Sequence, residues 1–283
     1  MNTLSWAIRR ELWENRSIYV GPLAVAATIL VGFAVALAAW PARIQAASIL
    51  GASELREAVQ QPFVVAALML MIIEILVAIV YSLDALYGER RDRSILFWKS
   101  MPVSDLDTVL AKASIPILVL PLVTFVVTMG TQVIMLLMGS AALTAKGIGV
   151  GTLWDQLSLL DLTWINLVHL VTLHGFLWAP LYAWLLLVSA WAPRAPFLWA
   201  VLPPVAIGIA ERIAFNSTRF AAVLQNYFLG GPGGEGSSGM TMDMLAPHSL
   251  AAFLERPNLW LGLAVSAAML FGAVKLRRAR GAI

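Results

Sequence analysis

Long apolar stretches separated by short polar connectors run the length of the chain. Six are long enough to cross about 30 Å of hydrocarbon, which takes roughly 20 helical residues each. They cover residues 18–40, 62–83, 109–139, 164–191, 196–214 and 259–274. The last reaches across only with Asn258 and Lys275 at its two interfaces. The third and fourth exceed the minimum and carry Pro116, Pro121 and Pro180, which predicts tilted or kinked helices. Before the first span, Leu4, Ile8 and Leu12 recur at helical spacing beside Trp6 and Trp13, with Arg9, Arg10 and Arg16 placed for anionic headgroups. Residues 1–17 therefore read as a helix lying flat on the inner leaflet, its stripe interrupted by Glu11. Residues 218–229 read as a second short helix, resting on the outer surface, and the glycine-rich 230–239 as a flexible, turn-rich segment. The expected fold is an all-α integral membrane protein with six transmembrane helices and an N-terminal interfacial helix. It forms a single transmembrane domain over 1–283, because no connector is large enough for a core of its own.

Composition agrees with the pattern. Hydrophobic residues make up 60% and charged residues 12%, and the mean hydropathy is +0.82; soluble domains carry about twice that share of charge. The net charge of +3 points to membrane topology rather than to nucleic acid, because the cations are unevenly placed. With both termini cytoplasmic, the inner segments hold thirteen cations: Arg9, Arg10, Arg16, Arg90, Arg91, Arg93, Lys99, Lys112, Arg194, Lys275, Arg277, Arg278 and Arg280. The outer segments hold six: Arg43, Arg56, Lys146, Arg212, Arg219 and Arg256. Cytoplasmic loops carry such an excess. The opening segment is charged and amphipathic rather than a short apolar core with a cleavage site, so the first span is expected to be retained. The tryptophans, among them Trp40, Trp154, Trp164, Trp178, Trp191, Trp199 and Trp260, cluster at span ends as an aromatic belt does.

Enzyme signatures are missing. Zero cysteines exclude a disulfide framework, a thiolate zinc site and a cysteine nucleophile. No Gly-x-x-x-x-Gly-Lys-Ser/Thr occurs, so the glycines after Gly230 are not a phosphate-binding loop, and no ATP site is expected in this chain. His-Glu-x-x-His is absent, and His169, His174 and His248 are the only histidines. His169 and His174, five apart, fall on different faces of an α-helix and make a poor metal site. Gly236-Ser237-Ser238-Gly239 matches the Gly-x-Ser-Gly of intramembrane serine proteases, but it lies in a polar loop rather than at the start of a buried helix. Glu74 is the conspicuous charge inside a span, where a carboxylate costs several kcal/mol unless paired, protonated or facing water. It is either a pathway residue or a carboxyl bonded to a neighbouring helix, and the sequence leaves both open. Asp84, nearer the cytoplasmic mouth, is placed to pair with Arg90 or Arg91.

The most informative segment lies between the second and third apolar stretches. It reads Leu86-Tyr87-Gly88-Glu89-Arg90-Arg91-Asp92-Arg93-Ser94-Ile95-Leu96-Phe97-Trp98-Lys99-Ser100-Met101-Pro102-Val103-Ser104. So many arginines exclude it from hydrocarbon. Four consecutive large apolar residues, Ile95 to Trp98, make no clean lipid-facing stripe, and aromatics beside arginines are typical interface anchors. Pro102, Ser104 and Asp105 predict a stop and then a cap for the third span.

This segment, from about Tyr81 to Lys112, resembles the connector between spans two and three of bacterial ABC-2 type permeases, the membrane subunits of ABC exporters whose ATPase is a separate polypeptide. The six-span layout, flat first helix and large last outer loop are similar across the whole chain. The resemblance implies a cytoplasmic coupling helix at residues 89–102 that docks in a groove of the ATPase. Its contact residues would be Glu89, Arg90, Arg91, Arg93, Ile95, Leu96, Phe97, Trp98, Lys99 and Pro102. It further implies a homodimer carrying two copies of the ATPase, which would bind ATP and Mg while this chain binds no cofactor. The place is the bacterial inner membrane, with substrate passing between the two copies and Glu74 as a pathway residue. Three other classes stay open: an intramembrane hydrolase, an ion-gradient-driven secondary transporter, and a membrane sensor or anchor for an ATPase that transports nothing.

Overall fold

The computed structural model describes residues 3–96, 103–228, 254–255 and 257–279. It is 88% helix, with no strand among the described residues, and six helices are long and apolar enough to cross a membrane. In chain order the elements begin with α1 (Thr3–Glu14), α2 (Ser17–Ala36), α3 (Trp40–Leu50), α4 (Ala52–Asp84) and α5 (Tyr87–Arg91). The third span is α6 (Asp105–Ser114), a π-helical turn (Ile115–Val119) and α7 (Leu120–Ala145). After the short α8 (Gly151–Trp154), the fourth stretch comprises α9 (Leu159–His169), a second π-helical segment (Leu170–Leu177) and α10 (Ala179–Trp191). Then come α11 (Pro196–Phe215), α12 (Arg219–Phe228) and α13 (Pro257–Ala279).

The second span is the axis of the bundle. At 33 residues α4 is about 50 Å long at 1.5 Å per residue, well beyond the hydrocarbon thickness. It therefore starts ten residues before the stretch read from hydropathy. Its buried face includes Val59, Phe63, Ala67, Leu70, Met71, Glu74, Ala78 and Tyr81, and it packs on α2, α3, α7 and α10. Lipid solvates leucine as well as a neighbouring helix does, so apolar burial alone does not assemble such a bundle; close packing and polar contacts do. One close contact is at Gly139, where a β-carbon would stand 2.8 Å from the ring of Trp40. Trp40 is not part of an interfacial belt as its position suggested. It is buried beside Phe33 and Phe63, and its indole N–H donates to the Ala58 carbonyl.

The prolines of the third and fourth stretches fall at irregularities of the helices. Pro116 lies within the first π-helical turn and Pro121 stands two residues beyond its end. Each proline lacks the N–H that the carbonyl four residues back would take, so the third span widens there. The second π-helical segment packs against this turn. At the contact, a β-carbon on Gly175 would stand 2.8 Å from the Ile117 carbonyl oxygen, so only glycine allows the approach. The fourth stretch breaks just before Pro180, which sits in the first turn of α10.

The short elements follow local chemistry. Ser104 caps α6 by accepting from the Asp107 N–H, as its position after Pro102 predicted. Gly51, at φ 149°, turns the chain between α3 and α4. The outer helix expected over 218–229 is α12. Its first N–H groups are held by the Glu211 carboxylate, which accepts from Arg219 and Phe220 at 2.8 and 2.9 Å. At its other end Phe228 packs on Trp178, and Tyr227 lies against Leu177 and Leu259.

Candidate functional site

The connector after the second span is built into the bundle from its first residues. α5 begins where the Leu86 and Tyr87 N–H groups donate to the Ser189 hydroxyl at 3.0 and 2.9 Å. Arg90 then donates to the Ser189 and Ala192 carbonyls at 2.8 and 2.6 Å. Those carbonyls belong to the end of α10, where no further turn exists to satisfy them, and a cation is favourable there. Arg90 therefore fastens the connector to the foot of the fourth stretch.

Glu89 fastens it to three other elements. Its carboxylate lies 3.2 Å from Lys112 of α6, 3.5 Å from Arg10 of α1 and 3.1 Å from Arg277 of α13. Arg277 also pairs with Asp105 at the start of α6. Glu11 takes the other side of Lys112 at 2.9 Å and the Arg10 guanidinium at 2.7 Å, and accepts a hydrogen bond of 2.8 Å from the Tyr81 hydroxyl. Exposure is 1% for the Glu11 side chain, 8% for Glu89 and 4% for both Lys112 and Arg277. Three cations, Arg10, Lys112 and Arg277, face three carboxylates, Glu11, Glu89 and Asp105, so the cluster is neutral as a whole. That balance is what makes the burial tolerable, since an unmatched ion there costs several kcal/mol. Burial by itself pushes the Glu11 carboxyl up; the charge and hydrogen bond of Lys112, and then those of Arg10, outweigh it and hold the group below the ordinary carboxylate range.

The residues singled out from sequence divide into three groups. Glu89, Arg90 and Ile95 are buried and serve the connector's attachment to the bundle. Arg91, Arg93 and Leu96 are exposed, with Arg91 paired to Asp92 at 2.9 Å and to Asp84 at 3.5 Å, one of the two partners expected for Asp84. Phe97, Trp98, Lys99 and Pro102 lie outside the described residues. The sequence reading missed Arg10, Lys112 and Arg277 as partners of Glu89, and Glu11 as the second carboxylate on Lys112. Glu11 was visible as the residue interrupting an apolar stripe, and that stripe is the face α1 turns to α6, with Ile8 and Leu12 packed beside Ile115 and Tyr81.

A second polar site lies deeper, inside the spans. Glu74 is fully buried, with one carboxylate oxygen 3.1 Å from Nδ1 of His174. The rings of His169 and His174 are 5.8 Å apart, which corrects the expectation that they diverge. Five residues of α-helix rotate a side chain far from its start, but in a π-helix the bond runs from i to i+5 and brings such residues back to one face. Nearby, Gln132 donates to the Phe63 carbonyl and accepts from Asn166 at 3.0 Å, tying α4, α7 and α9 together. No group of His, Asp and Glu suited to a metal ion occurs among the described residues. No family model, curated protein or solved structure matches this chain.

Proposed function

We propose that this chain is the membrane-spanning subunit of an ATP-driven exporter of the ABC-2 type, docking a separate ATPase through the connector after its second span. The observation that carries the reading is the connector's construction. Arg91, Arg93 and Leu96 are presented outward, while Glu89 and Arg90 are tied to α1, α6, α10 and α13. A push on the exposed side is thereby passed to the feet of three span-forming segments rather than absorbed in a loop. This construction and the resemblance over Tyr81 to Lys112 support the same role. In this mechanism two copies of the chain pair, each seats one ATPase, and closure of the ATPase dimer on ATP shifts the span bundles between inward-open and outward-open or occluded arrangements. Nucleotide drives the shift through its greater affinity for the closed state. ATP and Mg belong to the partner.

The test is whether an adjacent gene encodes a P-loop ATPase that co-purifies with this chain, together with ATP-dependent flux in vesicles. Replacing Phe97 and Trp98 by alanine is expected to release the ATPase and leave the membrane fold intact. Unchanged co-purification overturns the docking assignment. A second reading, transport driven by an ion gradient, is favoured by the buried Glu74–His174 pair; flux driven by a pH gradient without ATP would select it. An ATPase that binds without any flux selects the sensor or anchor.

A further inference from the structure

Glu74 and His174 stand where a net charge is hardest to keep. Glu74 lies seven residues before Tyr81 on α4, about 10 Å along the helix from the ion cluster, and its side chain is 0% exposed. Neither of its oxygens, nor Nδ1 of His174, finds a well-aligned hydrogen bond to another protein group, although the two side chains approach to 3.1 Å. The titratable groups around them can be named element by element. The second π-helical segment brings His174, α9 brings His169, and α10 brings Tyr182, whose buried hydroxyl is close enough to feel the Glu74 charge. Among the other elements packed on α4, α2, the first π-helical turn, α7 and α11 contribute no charged side chain to their buried faces.

Three protonation states are available to the pair. With no proton it is a lone carboxylate, with two it is a lone imidazolium, and either leaves one uncompensated charge in a hydrocarbon-like interior at a cost of several kcal/mol. With one proton it is neutral overall, as an ion pair or as an acid hydrogen-bonded to a neutral imidazole. The one-proton state is the only inexpensive one while the helices stay packed. Exposed to water, the same groups behave as a free carboxylic acid and a free imidazole, and above about pH 6.5 they hold no proton between them.

We infer that Glu74 and His174 form a proton-binding site inside the bundle, holding one proton between them while the spans are closed and passing it to water through His169 when the fourth stretch moves away from α4. His169 is only partly buried and its ring lies beside His174, which offers the proton a step from the pair toward the surface. The movement is assigned to the π-helical turns: His174 precedes Gly175, the residue that touches the Ile117 carbonyl of the third span, and π-helical turns occur frequently at functional sites. The proton leaves as hydronium, and the pair is left as carboxylate and neutral imidazole. Opening is therefore linked to the release of one proton, and above about pH 6.5 its equilibrium shifts toward the open form by up to tenfold per pH unit. The inference does not depend on an ATPase partner.

Two measurements on the purified full-length chain test it. Only His169, His174 and His248 occur, so isotope-labelled histidine gives three side-chain signals in an NMR spectrum. The His174 signal is assigned by elimination with His169→Gln and His248→Gln. Between about pH 5 and 8, where an imidazole in water changes charge, it is expected to stay fixed; a sigmoidal titration at the ordinary histidine position overturns the proposal. The second measurement counts protons released when the chain is unfolded at about pH 8. The native chain is expected to release about one more proton than Glu74→Gln/His174→Gln, in which both groups are replaced by uncharged side chains of similar size. Equal release overturns it, and if the double variant does not fold, the NMR titration of the native chain decides.

Discussion

Lys112 serves two carboxylates that are 78 residues apart in the chain, Glu11 at 2.9 Å and Glu89 at 3.2 Å. Removing it leaves both acids short of charge in a buried setting, which costs more than the intact bridge contributes. Lys112→Met is expected to destabilise the chain by about 3–5 kcal/mol in detergent unfolding, and adding Glu11→Gln should recover part of the loss. A simple sum of the two single effects would show that the groups do not interact. Gly175 makes a different demand, for space rather than charge. Gly175→Ala places a methyl group against the Ile117 carbonyl and is expected to cost about 1–3 kcal/mol by overpacking, with a lowered Tm as the readout. Lys112 was in plain view as a cation at the foot of a span, whereas nothing near Gly175 in sequence announces a contact with Ile117.

At the scale of elements, α1 is held to the bundle as much by charge as by its apolar stripe. The folded-state pKa of Glu11 lies below the ordinary carboxylate value, because the effect of burial is outweighed by Lys112 and Arg10. The stability it contributes is therefore fully present above about pH 4.3, the value of a free glutamate, and is lost as pH falls through the folded one. α1 is expected to lift in acid. The chain has no cysteine, so Ala7→Cys, buried under α1, reports the event by thiol labelling against Ser5→Cys on the exposed side. Labelling of the buried site should rise relative to the control below about pH 4, and Glu11→Gln should abolish that pH dependence. The two π-helical segments belong to this scale as well. The prolines account for the widening of the third span, whereas the second π-helical segment, on the fourth stretch, contains no proline and lies where it packs against the first.

Across the whole molecule, the ion cluster brings α1, the connector, the start of α6 and the last turns of α13 to one end of the bundle. That is the arrangement an even number of crossings requires, with α1 and the end of α13 on one side. The excess of arginine and lysine on those segments is what the positive-inside rule expects of a cytoplasmic end, and the proposed docking rests on that orientation. A cysteine at Ser5, or at Lys275 near the other terminus, is expected to react with an impermeant maleimide in inside-out vesicles and to resist it in right-side-out ones. Labelling of either from the outer face would invert the topology and remove the basis for cytoplasmic docking.

Six apolar helices were legible in the chain because a bilayer imposes length and hydropathy one segment at a time, with no reference to the rest of the fold. The cap at Ser104 and the helix distortion at Pro116 were legible for the same reason, since each depends on a few consecutive residues. Which polar groups meet was decided only in three dimensions. Glu89 finds Arg10, Lys112 and Arg277, and Glu74 finds His174, because buried charge must be compensated by whatever opposite charge or proton the packing brings within reach. No local pattern encodes a partner a hundred residues away. The helices follow from solvent, and the pairs follow from the cost of leaving an ion alone in the interior.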